Sequence, residues 1–404
     1  MPNRVVVVGA SAAGLTAAET LRRRGYDGAL TLIGDERRPP YDRPPLSKQI
    51  LAGAWEPHRI TLRDEQALGA LDADLLLGRA AVGLDTTERR VLLDGGAGVR
   101  YDALVIATGV RPRRLARADL IGVHVLRTLD DALALRAQLL ELPRVVVVGA
   151  GFVGAEVAAV ARQMGLEVTL VDPLPVPMCR QFGHRIGGLI GRLHHDHGVV
   201  VRCGVGVSRL VHTAGRVTAV ELADDSVLGA DVVVMAVGAT PATGWLAGSG
   251  LRLDDGIHCD TRCRAAPDIY AAGDVASWHN PHFGTKMRVE HRFNATEQAI
   301  AAAGNLLGDD RPFAPVPYFW TDQYDTKIQA YGIFPNDAEI EILHGDPDDL
   351  RFVAAYGHRG TVVGVLGWNS HREIRTLRHL VADHATWPIP RSHTVAGASV
   401  AVSC

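Results

Sequence analysis

Val5-Val6-Val7-Val8-Gly9-Ala10-Ser11-Ala12-Ala13-Gly14 and Val145-Val146-Val147-Val148-Gly149-Ala150-Gly151-Phe152-Val153-Gly154 are two versions of one pattern, a valine run that ends in a glycine-rich turn. Four consecutive β-branched residues suit a strand buried on both faces of a parallel sheet. The segments that follow, Leu15 to Arg24 and Ala155 to Met164, read as helices. In such a turn the first glycine permits the tight bend, the second lets the backbone approach a pyrophosphate, and the third lets helix and strand pack closely. The anion then rests on the free N–H groups at the helix start. Ser11 stands where the first copy would carry its middle glycine, crowding that approach slightly while adding a hydroxyl donor. Two copies in this context predict two dinucleotides on one polypeptide, one at Gly9, Ser11, Ala12, Ala13 and Gly14 and the other at Gly149, Gly151, Phe152, Val153 and Gly154.

Outward from each turn the surroundings repeat. The first unit continues with a strand at Leu30 to Ile33 and a later one, Ala103 to Ile106, that ends in Ala107-Thr108-Gly109. The second continues with Val168 to Val171 and then Val232 to Val237, ending at Gly238. Alternating strands and helices imply an α/β fold with two doubly wound dinucleotide-binding domains. The strand Asp268 to Ala271 runs into Ala272-Gly273-Asp274 and a helix from Ala295 to Leu307, a piece that belongs with the first unit. The second unit is then an insertion. The expected domains are residues 1–115 with 245–315, residues 116–244, and, after the prolines at 312, 315 and 317, a small C-terminal α+β domain over residues 316–404. The latter is expected to hold strands at Ile328 to Tyr331, Ile340 to His344, Leu350 to Tyr356 and Thr361 to Gly367, and one helix from Ile374 to Val381.

A chain of 404 residues, 47% hydrophobic and 22% charged, can build several cores, and its formal net charge of −3 speaks against general affinity for nucleic acid or an anionic membrane. The first strand follows Met1-Pro2-Asn3-Arg4 directly and the apolar runs fall short of the ~20 residues of a membrane helix, so a cytoplasmic protein is expected. Cys179, Cys203, Cys259, Cys263 and Cys404 form no Cys-x-x-Cys pair, and no metal site is expected of them. His194-His195-Asp196-His197, just before Gly198, reads as the solvated last turn of a helix.

An acid at the tip of the second strand of such a unit accepts hydrogen bonds from ribose hydroxyls and repels a 2′-phosphate. Asp172 holds that place in the second unit, which favours NADH over NADPH. In the first unit Asp35 and Glu36 follow Gly34; either could reach a ribose, and Asp35 is preferred. Pro39-Pro40-Tyr41-Asp42-Arg43-Pro44-Pro45-Leu46-Ser47-Lys48 is the second distinctive stretch, a rigid extended loop whose Arg43 and Lys48 could meet phosphate or flavin atoms.

Together with Ala107-Thr108-Gly109-Val110-Arg111-Pro112, Gly238-Ala239-Thr240-Pro241, Ala271-Ala272-Gly273-Asp274-Val275 and Phe319-Trp320-Thr321-Asp322-Gln323-Tyr324, these stretches resemble a family across the whole chain. It is the ferredoxin reductase type of the FAD-dependent pyridine nucleotide-disulfide oxidoreductases. The resemblance implies that Gly9, Ala13 and Gly14 hold the FAD pyrophosphate. It places Asp35 near the adenosine ribose, Val82 at the adenine, and Ala107, Thr108 and Gly109 at the middle of the cofactor. Gly273, Asp274 and Val275 would lie near the ribityl chain and isoalloxazine, with Trp320 flanking the ring. It adds Arg127, Val237 and Gly238 to the cofactor contacts. Lys48 would lie by flavin N5 and pair with Glu156, a cation stabilising the charge that arrives with hydride. Arg292 stands where the family commonly has tryptophan, so it could line the redox edge differently.

The implied reaction takes hydride from NADH to FAD and then single electrons to a [2Fe-2S] ferredoxin or rubredoxin that supplies an oxygenase or cytochrome P450. An acidic partner would need local positive charge, for which Arg372, Arg375 and Arg378 at helical spacing are candidates, as are Arg288 and Arg292. No cysteine precedes Cys179, which disfavours thiol-dependent reductases, oxidases and peroxidases. A monodehydroascorbate or quinone reductase, or a redox-sensing flavoprotein of the apoptosis-inducing-factor type, is the alternative.

Overall fold

The computed structural model describes residues 1–390, so Cys404 lies outside the described residues. The elements used below run β1 (Arg4–Val8), α1 (Ala12–Arg23), β2 (Ala29–Gly34), β3 (Ala103–Ile106), α2 (Leu129–Leu139), β4 (Val145–Val148), α3 (Phe152–Gln163), β5 (Val168–Asp172), α4 (Cys179–Asp196), β6 (Val232–Met235), β7 (Ile269–Ala271), α5 (Arg292–Leu306), β8 (Tyr318–Gln323) and α6 (His371–Leu377). The chain separates into two compact units. Unit 1 comprises Met1–Arg43, Pro57–Arg111 and Ala239–Pro317, and unit 2 comprises Pro44–Glu56, Pro112–Gly238 and the chain from Tyr318 onward.

Unit 1 is built on a six-stranded sheet ordered Arg264–Ala266, β7, β3, β1, β2, Asp74–Leu77. β1 is central and parallel to both neighbours, with Val8 level with Ile33 and with Ile106. That placement explains the valine run: Val5 to Val8 are buried on both faces of the sheet. α1 and α5 pack against one another, and α1 meets the sheet through Ala13, Ala17, Ala18 and Leu21. Small alanines allow this close approach of helix to sheet.

Unit 2 repeats the plan in a five-stranded parallel sheet ordered Val200–Cys203, β5, β4, β6, Val123–Val125. It also holds a five-stranded antiparallel sheet ordered β8, Thr326–Gly332, Thr361–Trp368, Arg351–His358, Glu339–Asp346. α4 joins these layers, because Phe182, Ile186, Ile190 and Leu193 share one buried cluster with Phe319, Phe352 and Trp368. Phe182 stacks on Phe319 at 5.7 Å and Phe152 meets Phe319 edge-on at 5.4 Å. Truncating a buried aromatic of this kind costs about 3–5 kcal/mol.

Three expectations need correction. β8 was not anticipated as a strand, although its residues alternate between half-buried and buried along its whole length. The expected helix from Ile374 to Val381 is instead two short ones, α6 and His379–Ala382. His194 is completely buried rather than solvated, whereas His195 and His197 beside it are exposed. Among the described residues no helix is long and apolar enough to cross a membrane, and no group of three or more His, Cys, Asp or Glu residues is placed to hold a metal ion.

Candidate active site

In unit 1 the turn after β1 leads into α1 with no side-chain cap from Ser11 and no acid in the first helical turn. The start of α3 in unit 2 is equally bare at Gly151. α2 is different: Thr128 accepts from the Asp131 N–H while Asp131 accepts from the Thr128 N–H, a complete capping box. The ends of α1 and α3 therefore keep N–H donors and positive dipole ends for an anion.

The glycines divide by what they avoid. A Cβ on Gly9 would lie 2.2 Å from the Ala107 carbonyl oxygen, and one on Gly14 would lie 1.8 Å from that of Gly9. Gly149 and Gly154 repeat these contacts, at 2.3 Å from Ala236 O and 1.8 Å from Gly149 O. Gly151 would meet nothing nearer than Gln181 Nε2 at 3.7 Å. Internal packing therefore does not demand glycine at 151, which agrees with a glycine kept so that a pyrophosphate can approach the backbone.

Other residues expected at the first site also lie in unit 1. Gly273 is buried at the end of β7 and its N–H donates to Gln298 Oε1 at 2.9 Å, while Val275 is buried and Asp274 half-buried. Thr108 Oγ1 donates to Ala242 O, and Gly109 O accepts from the Ala242 N–H, fixing the turn after β3. Arg43 donates to Glu36 at 2.6 Å and lies over the Tyr41 ring, whose hydroxyl also bonds Glu36. Burial works against this guanidinium, but Tyr41, Glu36 and Asp274 outweigh it and hold its pKa above the ordinary arginine value. Glu36 is thus occupied, whereas Asp35 is exposed and makes no side-chain hydrogen bond among the described residues. Val82 is 55% exposed. Arg292, the first residue of α5, is ion-paired with Asp42 and donates to Thr296 Oγ1, tying the proline-rich run to that helix.

In unit 2 the Asp172 carboxylate sits in the mouth of the second turn, accepting from the Ala150 N–H at 2.7 Å and the Leu174 N–H at 2.8 Å. Each oxygen retains a lone pair for a ribose hydroxyl. Val237 and Gly238 follow β6, and Arg127 is half-buried with its N–H on Asp131. Phe152 gives its ring to the aromatic core, and Val153 remains partly exposed. Burial, with Asp172 and Cys179 nearby, pushes the Cys203 thiol up to about 12, so it stays protonated and unreactive.

The same unit brings Lys48 to Glu156. Lys48 Nζ lies 2.7 Å from Glu156 Oε2 and donates to Pro44 O at 3.0 Å, with the lysine side chain 11% exposed and the glutamate 5%. Ser47 Oγ donates to the same carboxylate oxygen at 2.5 Å, and Thr321 Oγ1 to Oε1 at 2.8 Å. Removing either charge would strand the other in the interior, a loss of about 3–5 kcal/mol. Sequence reasoning named Lys48 and Glu156 but passed over Ser47, Thr321 and Gln323. The signal it lacked is the alternation of β8, which turns Phe319, Thr321 and Gln323 inward and leaves Trp320 half-buried on the other side, with its Nε1 on Asp322.

Residues 3–301 match the pyridine nucleotide-disulphide oxidoreductase family, and residues 318–396 match the reductase C-terminal family. The chain is 38% identical over 381 residues to the ferredoxin–NAD(+) reductase component of the anthranilate 1,2-dioxygenase system of Burkholderia cepacia, covering 93% of each chain. The ferredoxin reductase for the CYP199A2 system from Rhodopseudomonas palustris superposes with a TM-score of 0.91 at 35% identity, over 95% of this chain and 96% of that one. The reductase in the covalent putidaredoxin reductase–putidaredoxin complex gives 0.90 at 32% identity, over 95% and 93%. Two bare helix starts after glycine-rich turns, with family matches along nearly the whole chain, make this protein a member of the pyridine nucleotide-disulphide oxidoreductase family, an FAD- and NAD-dependent oxidoreductase of the ferredoxin reductase type.

Proposed function

We propose that the protein is an NADH:ferredoxin reductase whose acceptor is a [2Fe-2S] ferredoxin or rubredoxin, acting in the cytoplasm and feeding an oxygenase or cytochrome P450. The observation that carries the reading is the buried Lys48–Glu156 pair in the unit that also carries the Gly149–Gly154 turn and Asp172. FAD, when bound, takes hydride from NADH and releases electrons singly, which is what a one-electron cluster requires. Residues 1–115 and 245–315 hold FAD, through the Gly9–Gly14 turn, Asp35, Arg43, Val82, Ala107–Gly109 and Gly273–Val275. Residues 116–244 hold NADH, through the Gly149–Gly154 turn, Arg127, Val237 and Gly238, with Asp172 selecting against a 2′-phosphate. The Lys48 ammonium offsets the negative charge that arrives with hydride, Glu156 keeps that ammonium in place, and Trp320 flanks the ring. Arg372, Arg375 and Arg378 are exposed along α6 and its end, where an acidic partner would meet them.

Anaerobic stopped-flow mixing of the flavoprotein with NADH tests the first half. Lys48→Ala is expected to slow flavin reduction more than it weakens NADH binding, and an unchanged rate removes Lys48 from the reaction. Cytochrome c reduction with a panel of [2Fe-2S] ferredoxins tests the second half. Turnover that depends on ferredoxin and falls with salt supports the reading. Fast flavin reduction with transfer only to quinones or ascorbyl radical moves the assignment to a small-molecule reductase.

A further inference from the structure

Glu156 stands at the end of a longer chain of hydrogen bonds, every member of it within unit 2. Thr321 Oγ1 donates to Glu156 Oε1 at 2.8 Å and itself accepts from Gln323 Nε2 at 3.3 Å. With its amide nitrogen so engaged, Gln323 turns its oxygen to His194 Nε2, 2.9 Å away. An amide oxygen only accepts, so His194 carries its proton on Nε2. Its Nδ1 is then an acceptor, and it faces the Tyr324 hydroxyl at 3.1 Å. His197 stacks on the Tyr324 ring at 3.7 Å, closing the outer end.

The chain therefore has one direction. From Tyr324 through His194, Gln323 and Thr321, each group donates inward, and the last donor reaches the carboxylate. Thr321, Gln323, His194 and Glu156 are all buried, so no water competes for these bonds. Successive donors polarise one another, and the gain falls on the terminal acceptor. Lys48 and Ser47 hold Oε2 while Thr321 holds Oε1, so Thr321 is the contact that stops the carboxylate from rotating about its last bond.

We propose that Thr321 and Gln323 are positioning residues for hydride transfer: anchored by His194, they fix the Glu156 carboxylate and through it the Lys48 ammonium. The C-terminal sheet thereby contributes to the reaction through β8 as well as through any surface it offers a partner. Neither residue touches substrate or cofactor; both act through Glu156. The inference rests on the reading of Lys48 given above.

The test measures anaerobic flavin reduction by NADH and the flavin midpoint potential in Thr321→Val, Thr321→Ser, Gln323→Met and Lys48→Ala holoproteins. Valine keeps the shape of threonine and removes the donor. A limiting reduction rate about tenfold lower, an NADH dissociation constant within about twofold of wild type and a more negative potential are expected for Thr321→Val. Gln323→Met, one bond further out, is expected to lose about threefold, and Thr321→Ser to recover the wild-type rate and potential. A purely structural role would lower the melting temperature without moving the limiting rate or the potential. If Thr321→Val does not accumulate as flavoprotein, Gln323→Met against Thr321→Ser reads the same two quantities. A wild-type rate and potential in Thr321→Val or, in its absence, Gln323→Met, beside a slow Lys48→Ala, overturns this inference alone. A wild-type rate in Lys48→Ala overturns the assignment of Lys48 and this inference with it.

Discussion

The two glycine turns share a backbone and differ in the chemistry mounted on it. Gly9 N–H donates to Ile33 O and Gly149 N–H to Val171 O, both at 2.7 Å, so the turns are in the same register with the strand beside them. The residue after Val171 is Asp172, whose carboxylate reaches back to the turn, whereas the residue after Ile33 is Gly34. A Cβ on Gly34 would lie 2.6 Å from the Ala10 Cβ, so packing closes in unit 1 the position that unit 2 uses for an acid. The acids of the first unit are displaced along the chain to Asp35 and Glu36, and Arg43 with Tyr41 takes the second of them. One scaffold thus carries a compact acid-tipped turn in unit 2 and a turn whose polar contacts come from further along the chain in unit 1.

The sharpest test of this likeness is Gly14→Ala against Gly154→Ala. In both, the new methyl meets a backbone oxygen at 1.8 Å, which must open the helix–strand contact. Each is expected to cost more than about 4 kcal/mol, seen as loss of soluble folded protein or a collapsed melting temperature. A mild effect in one unit alone would break the equivalence.

Acid stability comes next, because one half-buried histidine in unit 1, His291, and one fully buried histidine in unit 2, His194, each have a pKa lowered from 6.5 to about 4. For His291 in unit 1 burial is the cause. For His194 in unit 2 burial leads, opposed by Gln323 and reinforced by His197. The unfolded chain takes up these protons first, so the stability they contribute is present above about pH 6.5 and is lost as pH falls toward about 4. The loss is about 3 kcal/mol for each histidine. Urea unfolding at pH 7 and pH 5 should show the decline, and His194→Gln should remove part of it. Equal pH sensitivity in that variant would relocate the effect.

Smaller effects sharpen the difference between the turns. Gly151→Ala has room within the protein and is expected to keep its melting temperature while NADH binding weakens about tenfold, whereas unit 1 already carries Ser11 there. Asp172→Ala is expected to lose its preference for NADH over NADPH, by roughly tenfold in the ratio of kcat/KM. Asp35→Ala should have the least effect, about two- to threefold faster loss of FAD on dilution, since its carboxylate is exposed and makes no hydrogen bond among the described residues.

β1, α1, β4 and α3 were legible in the sequence because their patterns are local: a buried strand reads as valines and a helix start as glycines. β8 was not, because its inward positions include Thr321 and Gln323, polar residues that conceal the alternation. His194 was misread for a related reason. It lies among polar neighbours in sequence, but its partner Gln323 is 129 positions away. Two dinucleotide turns, an acid suited to a ribose, a proline-stiffened loop ending in Lys48 and a glutamate on the second helix could all be identified from the chain itself. The pairing of Lys48 with Glu156, 108 positions apart, was expected only through the family resemblance; tertiary structure decided that the pair is buried, and that Thr321, 165 positions from Glu156, completes its hydrogen bonding. Local patterns record which face of an element is buried, whereas a side-chain hydrogen bond depends on distance and direction across strands that the fold alone brings together.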